Sequence, residues 1–263
     1  MAGSLLDHIT VVARPRNLGE VHDLAALLVR RHAGPLLVLG TVGLAPWVVL
    51  DALLLSLVPR PGPAAWLLAV LAFAQAPLAV APITCFLGQA MFSPRPRIRD
   101  AWGPALRALP ALALVGLWRA VCALTLIGLP WSLGHLTEVL CLERQGFKAT
   151  WQRARALTHV GHAREVLHLL TAAVTVVIAI WVVTGTVQAF DGLLRRGDLW
   201  HDGDFEEWLP GQAVLPTIGL WLGVAYLGVV RFVNYLDLRT RHEGWDVELD
   251  LRRAASRLPG GGS

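Results

Sequence analysis

The chain has 263 residues, of which 55% are hydrophobic and 16% charged, and its mean hydropathy is +0.54. Soluble domains carry about 25% charged residues, and their apolar residues alternate with polar ones at helical or strand period. The net charge is +4, but the basic residues are too scattered for a nucleic-acid-binding stripe. The composition therefore predicts an integral membrane protein and argues against a nucleic-acid partner.

Residues 1–34 precede the first apolar stretch. They lack the basic start, apolar core and small-residue cleavage site of a signal peptide, so we expect the first apolar span to stay in the protein. The spacing of apolar and basic residues toward the end of this segment predicts a cytoplasmic amphipathic helix that lies in the membrane interface.

A bundle of about six transmembrane helices is predicted for residues 35–236. About 20 apolar residues at 1.5 Å rise per residue cover the ~30 Å hydrocarbon core. The expected spans are 35–58, 64–92, 109–129, 131–142, 166–190 and 210–236. The fourth is short, and it is either a true crossing or a re-entrant segment. The breaker-rich turn at 59–63 joins the first two spans into a hairpin.

The distribution of basic residues predicts the orientation, because cytoplasmic loops are enriched in Lys and Arg. Four basic residues precede the first span, four lie between the second and third, five follow the fourth and five follow the sixth. The outer loops hold only Arg60, Arg195 and Arg196. This asymmetry predicts an even number of spans and both termini in the cytoplasm, in the bacterial inner membrane.

The sequence also contains an internal repeat. RPRNLGEVHDLAALLVRRHAG begins with Arg14-Pro15-Arg16, and RPRIRDAWGPALRALP begins with Arg95-Pro96-Arg97; both run through an amphipathic stretch into an apolar one. The segment from residue 146 is a third, more divergent copy. Each unit is expected to be a basic amphipathic helix at the inner interface followed by a membrane hairpin, so the fold class is all-α with three hairpin repeats.

Three segments resemble one family. NLGEVHDLAALLVRRHAGPLLVLG, LTEVLCLERQGFKATWQRARALT and RFVNYLDLRTRHEGWDVELDLR are similar to parts of bacterial membrane proteins related to the membrane domain of glycerophosphodiester phosphodiesterases. The resemblance implies a six-helix membrane module. It does not carry diesterase activity over, because the chain has no soluble barrel of about 250 residues and no position that matches a catalytic residue of that enzyme.

Asp51 and Arg119 are ionisable residues inside predicted spans, where a charge is costly and usually has a partner or a function. One interpretation is an interhelical ion pair between them that fixes packing. The alternatives are that they line a substrate path, that a charged side chain extends to the interface, or that a predicted span is misplaced.

His135 and Glu138 lie three residues apart in the short fourth span and therefore share a helical face. The pair is either a proton relay or a polar face that points toward the bundle interior or the inner interface.

No metal or cofactor site is predicted. His159, His162 and His168 lack the further ligands that complete a zinc site, and the acidic outer loop with Asp198, Asp202, Asp204, Glu206 and Glu207 does not have EF-hand spacing. Cys85, Cys122 and Cys141 lie in apolar stretches, where we interpret them as small apolar residues. Phosphate-binding GxxxxGK[ST], HExxH and GxSxG motifs are absent from the sequence.

Residues 237–263 form the predicted cytoplasmic tail. Val247, Leu249 and Leu251 alternate with charged residues, which favours a short strand or extended arm. This arm either packs on the inner face of the bundle or adds to the sheet of a protein partner. Together these features predict a non-enzymatic scaffold or accessory subunit of the cell envelope, with the lipid bilayer as its surroundings. The alternatives are a transporter of small solutes or lipids, for which the prolines within the spans would be typical, and an intramembrane enzyme.

Overall fold

The computed structural model describes residues 17–57, 61–93, 95–125, 134–143, 146–158, 162–196 and 214–243. These ranges form eight α-helices and contain no strand. In chain order the helices are α1 (Leu18–Arg31), α2 (Ala33–Ser56), α3 (Pro61–Phe92), α4 (Ile98–Thr125), α5 (Leu136–Glu143), α6 (Phe147–Thr158), α7 (His162–Arg196) and α8 (Val214–Glu243). The predicted all-helical fold is confirmed for the described residues.

Five of these helices contain a stretch that is long and apolar enough to cross a membrane. The stretches are Ala33–Ser56, Trp66–Met91, Ile98–Thr125, Leu170–Val187 and Val214–Arg241. The chain thus has the helices of a multi-pass membrane protein. Six spans in three hairpins are not confirmed, because the described part of the predicted fourth span is α5, whose eight residues cover about 12 Å.

A capping box begins α1. The Asn17 side chain accepts a hydrogen bond from the backbone N–H of Glu20 at 2.8 Å, and the Glu20 carboxylate accepts one from the backbone N–H of Asn17 at 3.0 Å. Such reciprocal bonds satisfy backbone donors that a helix start leaves without partners. Val21, Ala25 and Leu28 are buried at helical spacing, so α1 is amphipathic and packs its apolar face on α8.

The start of α4 differs from the sequence prediction. The apolar span was expected to begin at residue 109, separate from the basic segment before it, but α4 is continuous from Ile98 and contains Pro104 and Pro110. Proline removes one backbone hydrogen bond, yet membrane helices tolerate it where neighbouring groups satisfy the freed carbonyl. The second repeat unit therefore has no separate amphipathic helix.

The centre of the bundle is α3, which packs against α2, α4, α5 and α8. Of its spanning stretch 61% is buried, whereas only 6% of the stretch in α7 is buried. The main neighbour of α7 is α8. At Gly219 a Cβ atom would lie 2.7 Å from the Ile180 Cα, so glycine is needed for this close approach of the two backbones.

Candidate functional site

A buried ion pair joins α5 to α8. Glu138, in the first turn of α5, is fully buried. The Arg231 guanidinium donates from Nε to Glu138 Oε1 at 2.8 Å and from Nη2 to Oε2 at 3.1 Å. Its Nη2 also donates to the Gly134 carbonyl at 3.0 Å. A two-point bond between a guanidinium and a carboxylate is among the strongest and most directional interactions available to side chains.

His135 and Asn234 extend the network around this ion pair. The amide nitrogen of Asn234 lies 3.1 Å from His135 Nε2, and His135 Nδ1 lies 3.5 Å from Glu138 Oε2. When the Asn234 amide donates to Nε2, a neutral imidazole carries its proton on Nδ1, which faces the carboxylate. The predicted histidine and glutamate therefore meet partners from α8.

The contacts of Glu138 favour its ionised form. Arg231 donates to both carboxylate oxygens, and His135 Nδ1 lies 3.5 Å from Oε2. A two-point bond from a guanidinium is strongest when the carboxyl group is ionised. Glu138 is thus the negative partner of the ion pair between α5 and α8.

Arg119 is a second cation near the same carboxylate. It is 4% exposed, its guanidinium carbon lies 5.2 Å from the centre of the Phe73 ring, and it is within electrostatic range of Arg231 and Glu138. Among the described residues its Nε has no hydrogen-bond partner. Arg119 therefore interacts through longer-range charge and a cation–π contact.

Asp51 has different partners from those that the sequence suggested. Its fully buried carboxylate accepts hydrogen bonds at 3.0 Å from Gln75 Nε2 and at 3.0 Å from Trp221 Nε1. No salt bridge joins Asp51 to Arg119, although both lie in the described part of the chain. The predicted ion pair between Asp51 and Arg119 is therefore wrong. Gln75 in α3 and Trp221 in α8 are neutral donors, and they satisfy the carboxylate without a cation.

The polar network continues toward α6. The Tyr235 hydroxyl donates to Glu143 Oε1 at 2.7 Å, and Arg153 Nε lies 3.4 Å from Glu143 Oε2. Glu143 is the last residue of α5 and Arg153 lies in α6. Charged or hydroxyl groups thus fix both ends of α5 to neighbouring helices.

A cavity of about 310 Å³ lies beside the C-terminal end of α5. It is lined by side chains of α3, α4, α5 and α8: Cys85, Gly88, Gln89, Met91, Pro104, Cys141, Leu142, Phe232, Tyr235, Leu236 and Arg239. Neither Asp51 nor Arg119 lines it. The volume is at the lower end of the range for small-ligand sites.

Other predicted positions fall mostly outside the described residues. His159, the acidic loop with Asp198, Asp202, Asp204, Glu206 and Glu207, and the alternating segment 245–251 are among them. The backbone of His162 begins α7, and His168 is partly buried on the same helix. Over the described ranges no three His, Cys, Asp or Glu residues are grouped so that they could hold a metal ion.

Sequence reasoning missed five of the residues that complete these networks: Gln75, Trp221, Arg231, Asn234 and Tyr235. Arg231 carried a usable signal, because it is an ionisable residue inside the predicted span 210–236, as Arg119 is inside 109–129. Gln75 carried a weaker signal, as a polar residue inside the predicted span 64–92, and Trp221 carried none, since tryptophan is not unusual in an apolar helix.

Comparison of the chain with protein-family models, with curated proteins and with solved structures finds no match. The similarity to the membrane domain of glycerophosphodiester phosphodiesterases stays a prediction from short sequence motifs.

Proposed function

We propose that the protein is a non-enzymatic, multi-pass scaffold or accessory subunit of the bacterial inner membrane, with both termini in the cytoplasm. The observation that carries this proposal is the contrast in burial between helices of similar apolarity. α3 is enclosed by four neighbours, whereas α7 presents almost all of its spanning stretch to the surroundings. A helix held mainly by one neighbour is the part of the bundle with the most room for a helix of another membrane protein.

The exposed side of α7 has the chemistry of a helix-packing surface. Val174, Val177, Ile178, Trp181 and Val182 are each more than half exposed. Association of helices in lipid depends on close packing rather than on the hydrophobic effect. β-branched side chains suit such packing because they have few rotamers to lose.

The arrangement of charges also supports a scaffold over a transporter. A transport path would be expected to bring a cavity to Asp51 or Arg119, but the cavity beside α5 is lined by neither. Asp51 is held by two neutral donors, and Glu138 is held by Arg231 and His135. These bonds fix helices to one another, which is what a rigid assembly subunit needs.

Site-specific photo-crosslinking in native membranes tests the proposal. Val182 on α7 and Val49 on α2 are both 58% exposed, so a photoreactive amino acid at either position faces the surroundings equally. We expect a discrete protein adduct from position 182 and only lipid adducts from position 49. Lipid adducts alone from both positions would overturn the scaffold proposal, and so would the same protein adducts from both.

The proposed orientation needs a separate test. With both termini in the cytoplasm, the chain must return across the bilayer between the end of α4 at Thr125 and the start of α6 at Phe147, in addition to the five candidate spans. α5 provides part of this return, beside the C-terminal halves of α3 and α8. Reporter fusions at the two ends are expected to give cytoplasmic signals from both. Signals from opposite sides of the bilayer would contradict this topology.

A further inference from the structure

Three of the five sulfur-containing side chains of the protein line the cavity beside α5. The sequence has three cysteines and two methionines. Cys85, Met91 and Cys141 line this one cavity. Each is nine-tenths or more buried, and none of the cysteines forms a disulfide. Apolar packing alone gives no reason for two cysteines from different helices to line the same cavity.

The two thiols face the cavity from neighbouring helices. Cys85 lies in α3 and Cys141 lies in α5, and both line the cavity. The helices are close together here, because Gly88, one turn after Cys85, lies against the side chain of Leu142, the residue after Cys141. Two helices therefore present a thiol to the same space.

We propose that Cys85 and Cys141 form a binding site for a soft monovalent metal ion of the Cu(I) class, with Met91 as a third sulfur donor at the same cavity. Thiolate and thioether ligands select Cu(I), whereas hard cations prefer oxygen. The proposed metal site is separate from the proposed scaffold role and does not depend on it.

The proton and charge balance of the site is simple. Two thiols and one Cu(I) give a bis-thiolate complex of charge −1 and release two protons, with no change of oxidation state. Arg239 lines the cavity, so a positive charge lies close to the complex and offsets its negative charge. The cavity also provides the space and the access that an ion needs to reach the sulfur atoms.

Cys122 provides a matched control within the same chain. It is a buried thiol in α4, 2% exposed against 4% for Cys85 and for Cys141, but it does not line the cavity. Loss of Cys122 thus tests for unspecific binding of Cu(I) to buried thiols.

The experiment titrates the full-length protein in detergent, reduced and without oxygen, with Cu(I) against a coloured competing chelator. We expect one Cu(I) per chain for the wild type and for Cys122→Ser. For Cys85→Ser and Cys141→Ser we expect affinity to fall at least a hundredfold, and for Met91→Leu about tenfold. No binding by the wild type, or equal loss in all three cysteine variants, would overturn the proposal.

A second measurement on the wild type covers the case in which a variant does not fold. Thiol alkylation followed by mass spectrometry gives the rate for each cysteine separately. Cu(I) is expected to slow alkylation of Cys85 and Cys141 several-fold and to leave Cys122 unchanged. Equal protection of all three cysteines, or none, would contradict the site.

Discussion

Two buried carboxylates in this protein are stabilised in opposite ways. Asp51 in α2 and Glu138 in α5 are both fully buried. Asp51 accepts hydrogen bonds from the neutral side chains of Gln75 and Trp221. Glu138 is bound at two points by the guanidinium of Arg231. The same chemical group is therefore held by neutral donors in one place and is half of an ion pair in the other.

The two carboxylates should differ in how much stability the protein loses when each is removed. A buried ion pair contributes little net stability, since desolvation of two charges offsets their attraction. Removal of one partner, however, leaves the other charge buried without compensation. Loss of the Glu138 carboxylate would leave two arginines, Arg231 and Arg119, without a nearby negative charge. Loss of the Asp51 carboxylate would leave only two neutral donors, Gln75 and Trp221.

The matched substitutions Glu138→Gln and Asp51→Asn should give the largest contrast. Each changes a carboxylate into an amide of the same shape. We expect Glu138→Gln to lower the free energy of unfolding by about 3 kcal/mol, because Arg231 loses its counter-charge. Asp51→Asn should cost about 1 kcal/mol, the net worth of one hydrogen bond. Thermal melting of the detergent-solubilised protein measures both, and equal losses would contradict the contrast.

Removal of both members of the ion pair should recover part of that loss. Glu138→Leu alone leaves the Arg231 charge without its carboxylate, while Glu138→Leu combined with Arg231→Met leaves an apolar contact of similar volume. We expect the double variant to melt at a higher temperature than Glu138→Leu, by an amount equivalent to about 1–2 kcal/mol. Additive losses would show that the two residues stabilise the fold independently.

The two tyrosines of α8 extend the comparison to hydrogen bonds of hydroxyl groups. The Tyr235 hydroxyl donates to the Glu143 carboxylate at 2.7 Å, and the Tyr226 hydroxyl donates to the His22 carbonyl at 3.3 Å. Since bonds to charged acceptors are the stronger ones, Tyr235→Phe should cost about 1.5 kcal/mol and Tyr226→Phe about 0.5 kcal/mol. Melting temperatures rank the two, and the reverse order would count against the α5 network as a stabilising element.

Composition and length were sufficient to predict most of the helices. Runs such as Pro35 to Val58 and Ala64 to Phe92 are mostly apolar and long enough to cross a bilayer, which predicts membrane-spanning helices. The boundary of α4 was missed, because Pro104 and Pro110 are helix breakers in water but are tolerated inside a membrane helix. The fourth span was the least predictable, since its described part is a short helix that depends on contacts with α3 and α8.

The sequence located the buried charges but not their partners. Asp51, Arg119, His135 and Glu138 are recognisable because ionisable and polar groups are rare in apolar stretches. Their partners depend on helix packing, as Trp221 is 170 residues from Asp51 along the chain and Arg231 is 93 residues from Glu138. No periodicity or local spacing encodes such distances.

The smallest expected effect concerns the ion pair between Asp51 and Arg119 that the sequence suggested and the structure does not contain. Arg119→Leu removes a buried cation that has a ring contact with Phe73 but no carboxylate within salt-bridge distance among the described residues. We expect the losses from Asp51→Asn and Arg119→Leu to add within about 0.5 kcal/mol in the double variant, as they do for residues that share no partner. A coupling of 2 kcal/mol or more, about the strength of a hydrogen bond to a charged group, would mean that the two side chains meet after all. Asp51 would then be paired like Glu138, and the contrast between the two carboxylates would disappear.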